Sequence, residues 1–387
     1  MMASMRNALL LIVCGVALAQ QPDLKKTTFE NQAGMVLANG KLEMIVFEQG
    51  ASFANLVLSD DAEKLSPLWN PARLAREAGR PSQFGASFGH FICVDGFGPT
   101  SKEEAAAGLT GHGEAHIQKF EVKASRRDGK TSTLVLAAKL PIVEELFTRT
   151  IRMVDGENVI YVNSELENLL GFDRPVNWAE HATIGSPFLE PGVTVVDMSG
   201  KRAMVRPYDP GERGLPHYMA SGKEFTWPDA PLESGGTADV RRAQSPPNSG
   251  GHTTTLMDAS RKYVYVTALH PGKKLILGYV FRPDEYAWTQ SWENYPPTGK
   301  LARGLEFSTQ PFDVSRREAV TTGSMFGVPT YRWLPAKSKI ESHFLMFYSR
   351  VPEGMVQVDD VRLENGKLTV EDHKSGKRFV LDASLPL

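Results

Sequence analysis

The sequence predicts an all-β protein, a large antiparallel β-sandwich with few short helices. Three observations predict it. Turn dipeptides lie between apolar runs at Asn39-Gly40, Asp128-Gly129 and Asp155-Gly156, the pairs whose tolerance of left-handed backbone suits tight hairpins. Apolar segments of strand length, "KYVYVTALH", "KKLILGYVF" and "SHFLMFYSR", recur through the second half. Helical periodicity is scarce.

The first residues, "MMASMRNALLLIVCGVALAQQ", carry Arg6, an apolar run from Ala8 to Leu18 and an A-x-A site ending at Ala19. That run is too short to cross a bilayer comfortably. Residues 1–19 are therefore expected to be a cleaved signal peptide, and the mature chain to be periplasmic or secreted without a membrane span. A lipid-attachment role for Cys14 is the alternative. After cleavage only Cys93 remains, so no internal disulfide can form and the core must hold the fold. In "HFICVDG" this thiol is expected to be buried and inert.

Residues 20–387 are expected to form one domain. "MVLANGKLEMIVFEQG" reads as a strand pair, followed by a short helix in "PARLAREAGR" with Pro71 in its first turn. "SKEEAAAG" carries a capping box, Ser101 with Glu104, and a stop at Gly108. Two more hairpins follow, "FEVKASRRDGKTSTLVLAAKL" and "FTRTIRMVDGENVIYVNSELEN". The stretch from Lys201 to Gly251 is rich in Pro, Gly and Ser and reads as long ordered loops forming a rim over a cleft. "VRLENGKLTVEDHKSGKRFVL" closes the chain with two further turns. At 41% hydrophobic and 23% charged residues, the chain can build a substantial core and is not of disordered type. A net charge of -2 without a basic stripe argues against nucleic acid or an anionic membrane as partner.

Candidate chemistry sits in four places. "GHGEAH" places His112, Glu114 and His116 within five residues. On a strand the three would share a face and could hold a metal. The helical zinc-protease pattern is excluded because the glutamate lies midway between the histidines and two glycines disfavour a helix. No second cluster with ligand spacing supports a metal, so none is expected. His116 is expected to be solvated at the start of a strand. His112, between two glycines that allow close approach, is expected to be functional. "NWAEHATIG" sets Glu180 and His181 among small and apolar residues, where an unpaired charge is costly. In "RGLEFSTQPF" alternation points Glu306 away from Leu305 and Phe307, toward solvent or a cleft. "YAWTQSWENYPP" clusters aromatics, among them Trp288 and Trp292, suited to a sugar's apolar face or to core packing.

In order and spacing these landmarks resemble the aldose 1-epimerase (galactose mutarotase-like) superfamily. The resemblance runs from "LEMIVFEQGASFANLVL" and "SPLWNP" through "FGASFGHFICVDGFGP", "GHGEAH" and the hairpin ending at Asn168 to "HATIGSPFL" and "RGLEFSTQPF". It implies a β-supersandwich with a sugar site on its concave face and no metal or organic cofactor. It implies Glu306 as general base, His181 as general acid and His112 as a second sugar-contacting histidine. His90 would stand near the family's sugar-binding arginine, which is missing, and Glu180, Trp288 and Trp292 would line the site. The family's histidine-aromatic pair is here His181-Ala182. Such an acid and base interconvert anomers by opening the ring to an aldehyde and closing it on the other face. Their mutual attraction is expected to raise the histidine pKa and lower that of the glutamate. The ligand is expected to be a sugar or oligosaccharide. The alternatives are a non-catalytic carbohydrate-binding protein on the same fold and a polysaccharide-cleaving enzyme using Glu306 with Glu293 or Glu180.

Overall fold

The structure is a computed structural model that describes residues 25–81, 87–208 and 214–387. The expected signal peptide lies outside the described residues. Two antiparallel sheets, of twelve and eight strands, make up the β-supersandwich. The Asn-Gly and Asp-Gly turns connect the strands expected of them: Gln32–Ala38 to Leu42–Phe47, Glu121–Asp128 to Thr131–Leu140, and Glu145–Val154 to Val159–Asn168.

The continuous apolar runs have a physical reason: their sheet is covered on both faces. In the strand Lys339–Arg350, Phe344, Met346 and Tyr348 enter the core between the large sheets. Leu345 and Phe347, pointing the other way, enter a second cluster with Val361, Leu368 and Val370. Those three belong to the C-terminal three-stranded sheet, Asp360–Glu364, Lys367–Asp372 and Lys377–Asp382. A strand buried on both sides loses the polar alternation of a half-exposed one.

Pro71–Glu77 is helical with Asn70 as its cap, and Lys102–Ala106 carries the complete Ser101–Glu104 capping box. A third helix, Arg316–Thr322, is capped by Ser315 and stopped at Gly323 in a left-handed conformation; "SRREAVTTG" held that signal unread. The Lys201–Gly251 region is more regular than a loop. Gly200–Val205 and Glu224–Thr226 extend the twelve-stranded sheet, and Asp229–Pro231 pairs with Thr237–Asp239. No helix among the described residues is long and apolar enough to cross a membrane.

Within the twelve-stranded sheet, His90–Val94 pairs with Trp178–Gly185, which pairs with Glu306–Ser308. Glu306–Ser308 pairs with Trp288–Tyr295, and that strand with Ser249–Met257. This run of neighbours carries the site.

Candidate active site

Strand alternation sorts the polar residues onto two faces. Trp178, Ala182 and Ile184 enter the core between the sheets, whereas Ala179 packs with Phe91, Cys93 and Phe97 on the other side. His181 follows the second set and Glu180 the first. The cross-strand pair Phe91–His181 stacks ring on ring at 4.1 Å. Glu306 pairs with Gln290, while its neighbours Leu305 and Phe307 are core residues; the alternation expected in "GLEFS" is the one observed, and it points to a cleft. His252 and Trp292, opposite each other on their strands, complete that face.

The result is a cleft of about 290 Å³ bounded by His112, His181, Glu306, Trp292, His252 and Asp313, with Trp69, Phe91, Phe97 and Ser87 as further walls. His181 Nε2 lies 3.3 Å from Glu306 Oε1, and its Nδ1 lies 3.0 Å from Thr183 Oγ1. The His112 ring stands 5.2 Å from that of His181, almost perpendicular. Trp292 approaches His181 at 6.4 Å and Trp69 at 6.2 Å, edge to face.

His112 is fixed by its backbone. Its amide donates to Gly98 O (2.9 Å) and its φ is +66°, a left-handed conformation that a glycine-flanked turn accommodates. Gly113 must be glycine, because a Cβ there would sit 2.0 Å from Val94 O. His112 Nδ1 accepts from the Gly98 amide at 3.3 Å, so the neutral ring carries its proton on Nε2. Burial, assisted by His116, lowers its pKa to about 4 against the opposing pull of Asp313. Near neutrality His112 is a hydrogen-bond donor without charge.

The acid–base pair departs from expectation. Burial, with His112 adding to it, pushes His181 well below the usual histidine value. Burial, then the Asp313 charge, pushes Glu306 well above the usual carboxylate value. Mutual attraction was expected to do the reverse. The correction is physical: both groups are withdrawn from water, and desolvation of two charges outweighs their attraction. Asp313, which burial alone would raise, is held low by His252 (Nδ1 at 2.9 Å) and Arg206 (Nε at 2.7 Å).

Three expected lining residues do not reach the cleft surface. His90 and Glu180 are fully buried between the sheets. Glu180 receives Arg149 at 2.5 Å, His90 Nε2 at 2.8 Å, Trp178 Nε1 at 3.2 Å and the Tyr286 hydroxyl at 3.3 Å. Burial would raise this carboxyl, but Arg149 and His90 hold it below its ordinary value. Adjacent residues of one strand cannot share a face, so Glu180 and His181 could not both line the cleft. Trp288 does lie on the cleft side, four residues before Trp292, yet it is covered and packs against Phe326 at 5.8 Å.

The "GHGEAH" segment is not a strand. It forms a turn and the short 3-10 helix Ala115–Ile117. Glu114 accepts from the amides of Ile142 and Val143 and from Gln118, and so anchors a loop. His116 is buried rather than solvated, between Ser87 Oγ and Gly111 O, both at 3.1 Å. The His112 and His116 rings stand 6.2 Å apart while Glu114 turns away to the Ile142–Val143 amides, so the three do not share one point. Cys93 is buried on the cleft side, with Sγ 3.5 Å from His112 Nδ1, and burial raises its thiol pKa strongly.

His252 and Asp313 went unnoticed in the sequence. His252 follows Gly250-Gly251 much as His112 follows Gly111, which is a usable signal; Asp313 in "PFDV" offers none.

A galactose mutarotase-like protein from Clostridium acetobutylicum superposes on 85% of this chain and 99% of its own, with a TM-score of 0.57 at 12% identity. The fold is the galactose mutarotase-like fold. A galactose mutarotase related enzyme from Lactobacillus acidophilus covers 85% of this chain and all of its own (TM-score 0.53, 13% identity). A Synechocystis protein covers 89% and all of its own (TM-score 0.57, 11% identity). No protein-family model matches the sequence, and no curated protein matches it significantly. The mutarotase-like likeness is therefore one of architecture.

Proposed function

We propose that this chain is an exported carbohydrate-active enzyme that interconverts the anomers of a sugar, with Glu306 and His181 as its acid–base pair. The observation that carries the reading is the 3.3 Å approach of His181 Nε2 to Glu306 Oε1 in an aromatic-walled cleft of one-ring size. A volume of about 290 Å³ is at the small end of ligand pockets, roughly 300–1,000 Å³.

Burial favours one shared proton on the pair over two separated charges. A single proton suffices. In ring opening one partner gives its proton to the ring oxygen while the other takes the proton of the anomeric hydroxyl. The pair again holds one proton, now on the opposite partner. After rotation about the bond beside the aldehyde, closure reverses both transfers and restores the start. His112 Nε2–H, uncharged, donates to a ring oxygen or hydroxyl, and Trp292 and Phe91 offer apolar surface to the ring's C–H face.

Polarimetry on freshly dissolved sugars tests this. Wild-type protein is expected to accelerate the approach to anomeric equilibrium, and Glu306→Gln to lower that rate by about 10²-fold or more while changing affinity little. Equal rates would remove Glu306 from the mechanism, and binding without acceleration would make this a carbohydrate-binding protein.

One observation favours a second reading, cleavage of a glycosidic bond. Asp313 and Glu306 border one cleft with carboxyls pushed in opposite directions, as in acid/base pairs of glycosidases. Asp313 would replace the Glu293 or Glu180 first considered, and product analysis on oligosaccharides decides it. Export rests on residues 1–19, and the mature protein is expected to begin at Gln20 by mass spectrometry.

A further inference from the structure

We propose that the cleft takes a ligand of at least two linked sugar rings, the second lying against the Tyr208–His217 pair. This rests on the sugar reading of the first compartment and deepens it. A second cavity of about 180 Å³ adjoins the first, and His252, Trp292 and Asp313 border both. The two are compartments of one groove with a shared wall, on the side opposite Phe91 and His112.

The second compartment has the surfaces a pyranose ring uses. The rings of Tyr208 and His217 stack face to face at 3.6 Å and 13°, and the stack offers its outer aromatic surface as a wall. Its floor is the strand segment Gly250-Gly251. A Cβ at Gly250, which shares its face with His252, would occupy space 3.3 Å from Leu215 Cβ. Glycines inside a strand mark close approach of another group to the backbone.

Polar atoms left without partners point to the ligand's chemistry. Glu293, next to Trp292 in its strand, turns to the opposite face, where it accepts from the Tyr218 hydroxyl at 2.8 Å and stands 4.0 Å from Arg303, so it is not among the groups offered to the ligand. His252, 4% exposed, has Nε2 unpartnered, and His217 has Nδ1 unpartnered. Buried polar atoms without partners are rare enough to require an explanation. Arg206 is paired with Asp313, so the compartment has no excess positive charge with which to hold an anion. Hydroxyl groups both donate and accept, and they satisfy ring nitrogens of either kind.

The test compares each sugar with its own reducing-end unit: glucose against maltose and cellobiose, and galactose against β-1,4-galactobiose, by calorimetry. At least one disaccharide is expected to bind about tenfold or more tightly than its monosaccharide. Gly250→Val, which fills the second compartment only, is expected to abolish that advantage and leave monosaccharide affinity within about twofold. His217→Ala, which breaks the stack without adding bulk, is expected to reduce it. Monosaccharide binding with no gain for any disaccharide, or an equal loss for both sizes in Gly250→Val, overturns the second subsite while leaving the first reading intact. Binding of neither size overturns both. A disaccharide bound and then cleaved supports the subsite but replaces anomer interconversion by glycoside cleavage.

Discussion

Gly304 is the position at which the smallest possible substitution should separate chemistry from folding. A Cβ built there lies 2.3 Å from Glu306 Oε1, 2.9 Å from Cδ and 3.1 Å from Cγ, whereas ordinary contact begins at 3.4 Å. The carboxyl must therefore retreat by about 1 Å, and the 3.3 Å approach to His181 Nε2 is lost or redirected. Misplacement on that scale costs about 10²-fold in an oriented reaction. Stability should hardly change. Gly304 has no positive φ and keeps its pairing with Thr183, so alanine brings only the usual stiffening of the unfolded chain, about 0.4–1 kcal/mol in favour of folding. The obstruction is a side-chain tip rather than backbone. Polarimetric rates and urea unfolding, run side by side on Gly304→Ala and wild type, are the measurements. A variant with the wild-type rate would show that the placement of Glu306 does not matter, and the acid–base argument would fail with it.

Three further outcomes are expected. Folded His112 titrates at about 4 against an ordinary 6.5. Between these values the unfolded chain binds a proton the folded one refuses, so stability rises with pH across the window by about 3 kcal/mol; the wild-type minus His112→Gln difference in unfolding free energy should show that slope, and a flat difference refutes it. Arg149→Leu strands Glu180 in the core and should cost about 3–5 kcal/mol in denaturant unfolding, with the double change Arg149→Leu/Glu180→Leu costing less; a single variant within about 1 kcal/mol of wild type would contradict the assigned pairing. Cys93, fully buried with its thiol pKa raised, should resist Ellman's reagent until the protein unfolds, and prompt labelling of the native protein would show the cleft floor to be open.

What the sequence made legible follows from what is local in it. Turn chemistry at Asn39-Gly40 or Asp155-Gly156 needs only two residues, and the alternation around Glu306 needs three. The two-face argument was also available at Glu180-His181, since one of them had to leave the site, but which one depended on Arg149, 31 residues from Glu180 in sequence. Trp288 and Trp292 share a face, and only the cover supplied by Phe326 tells them apart. The Asp313–His252–Arg206 group draws on three distant segments without a common motif. The direction of the pKa shifts at His181 and Glu306 depends on how much water the fold removes, a quantity that pairwise attraction in a sequence does not contain.

The strand Trp178–Gly185 carries an ion cluster around Glu180 on one side and the cleft histidine His181 on the other, one residue apart. A one-residue shift of register ahead of Glu180 would turn both side chains to the opposite faces, His181 toward the interior and Glu180 toward the cleft. Such a shift would take the carboxylate from Arg149 and put a second carboxyl on the face that holds Glu306. Length variation in this segment is thus closed to gradual exploration by descent. Specificity has more room to vary outside this strand, in the turns between Glu224–Thr226 and Ser249–Met257.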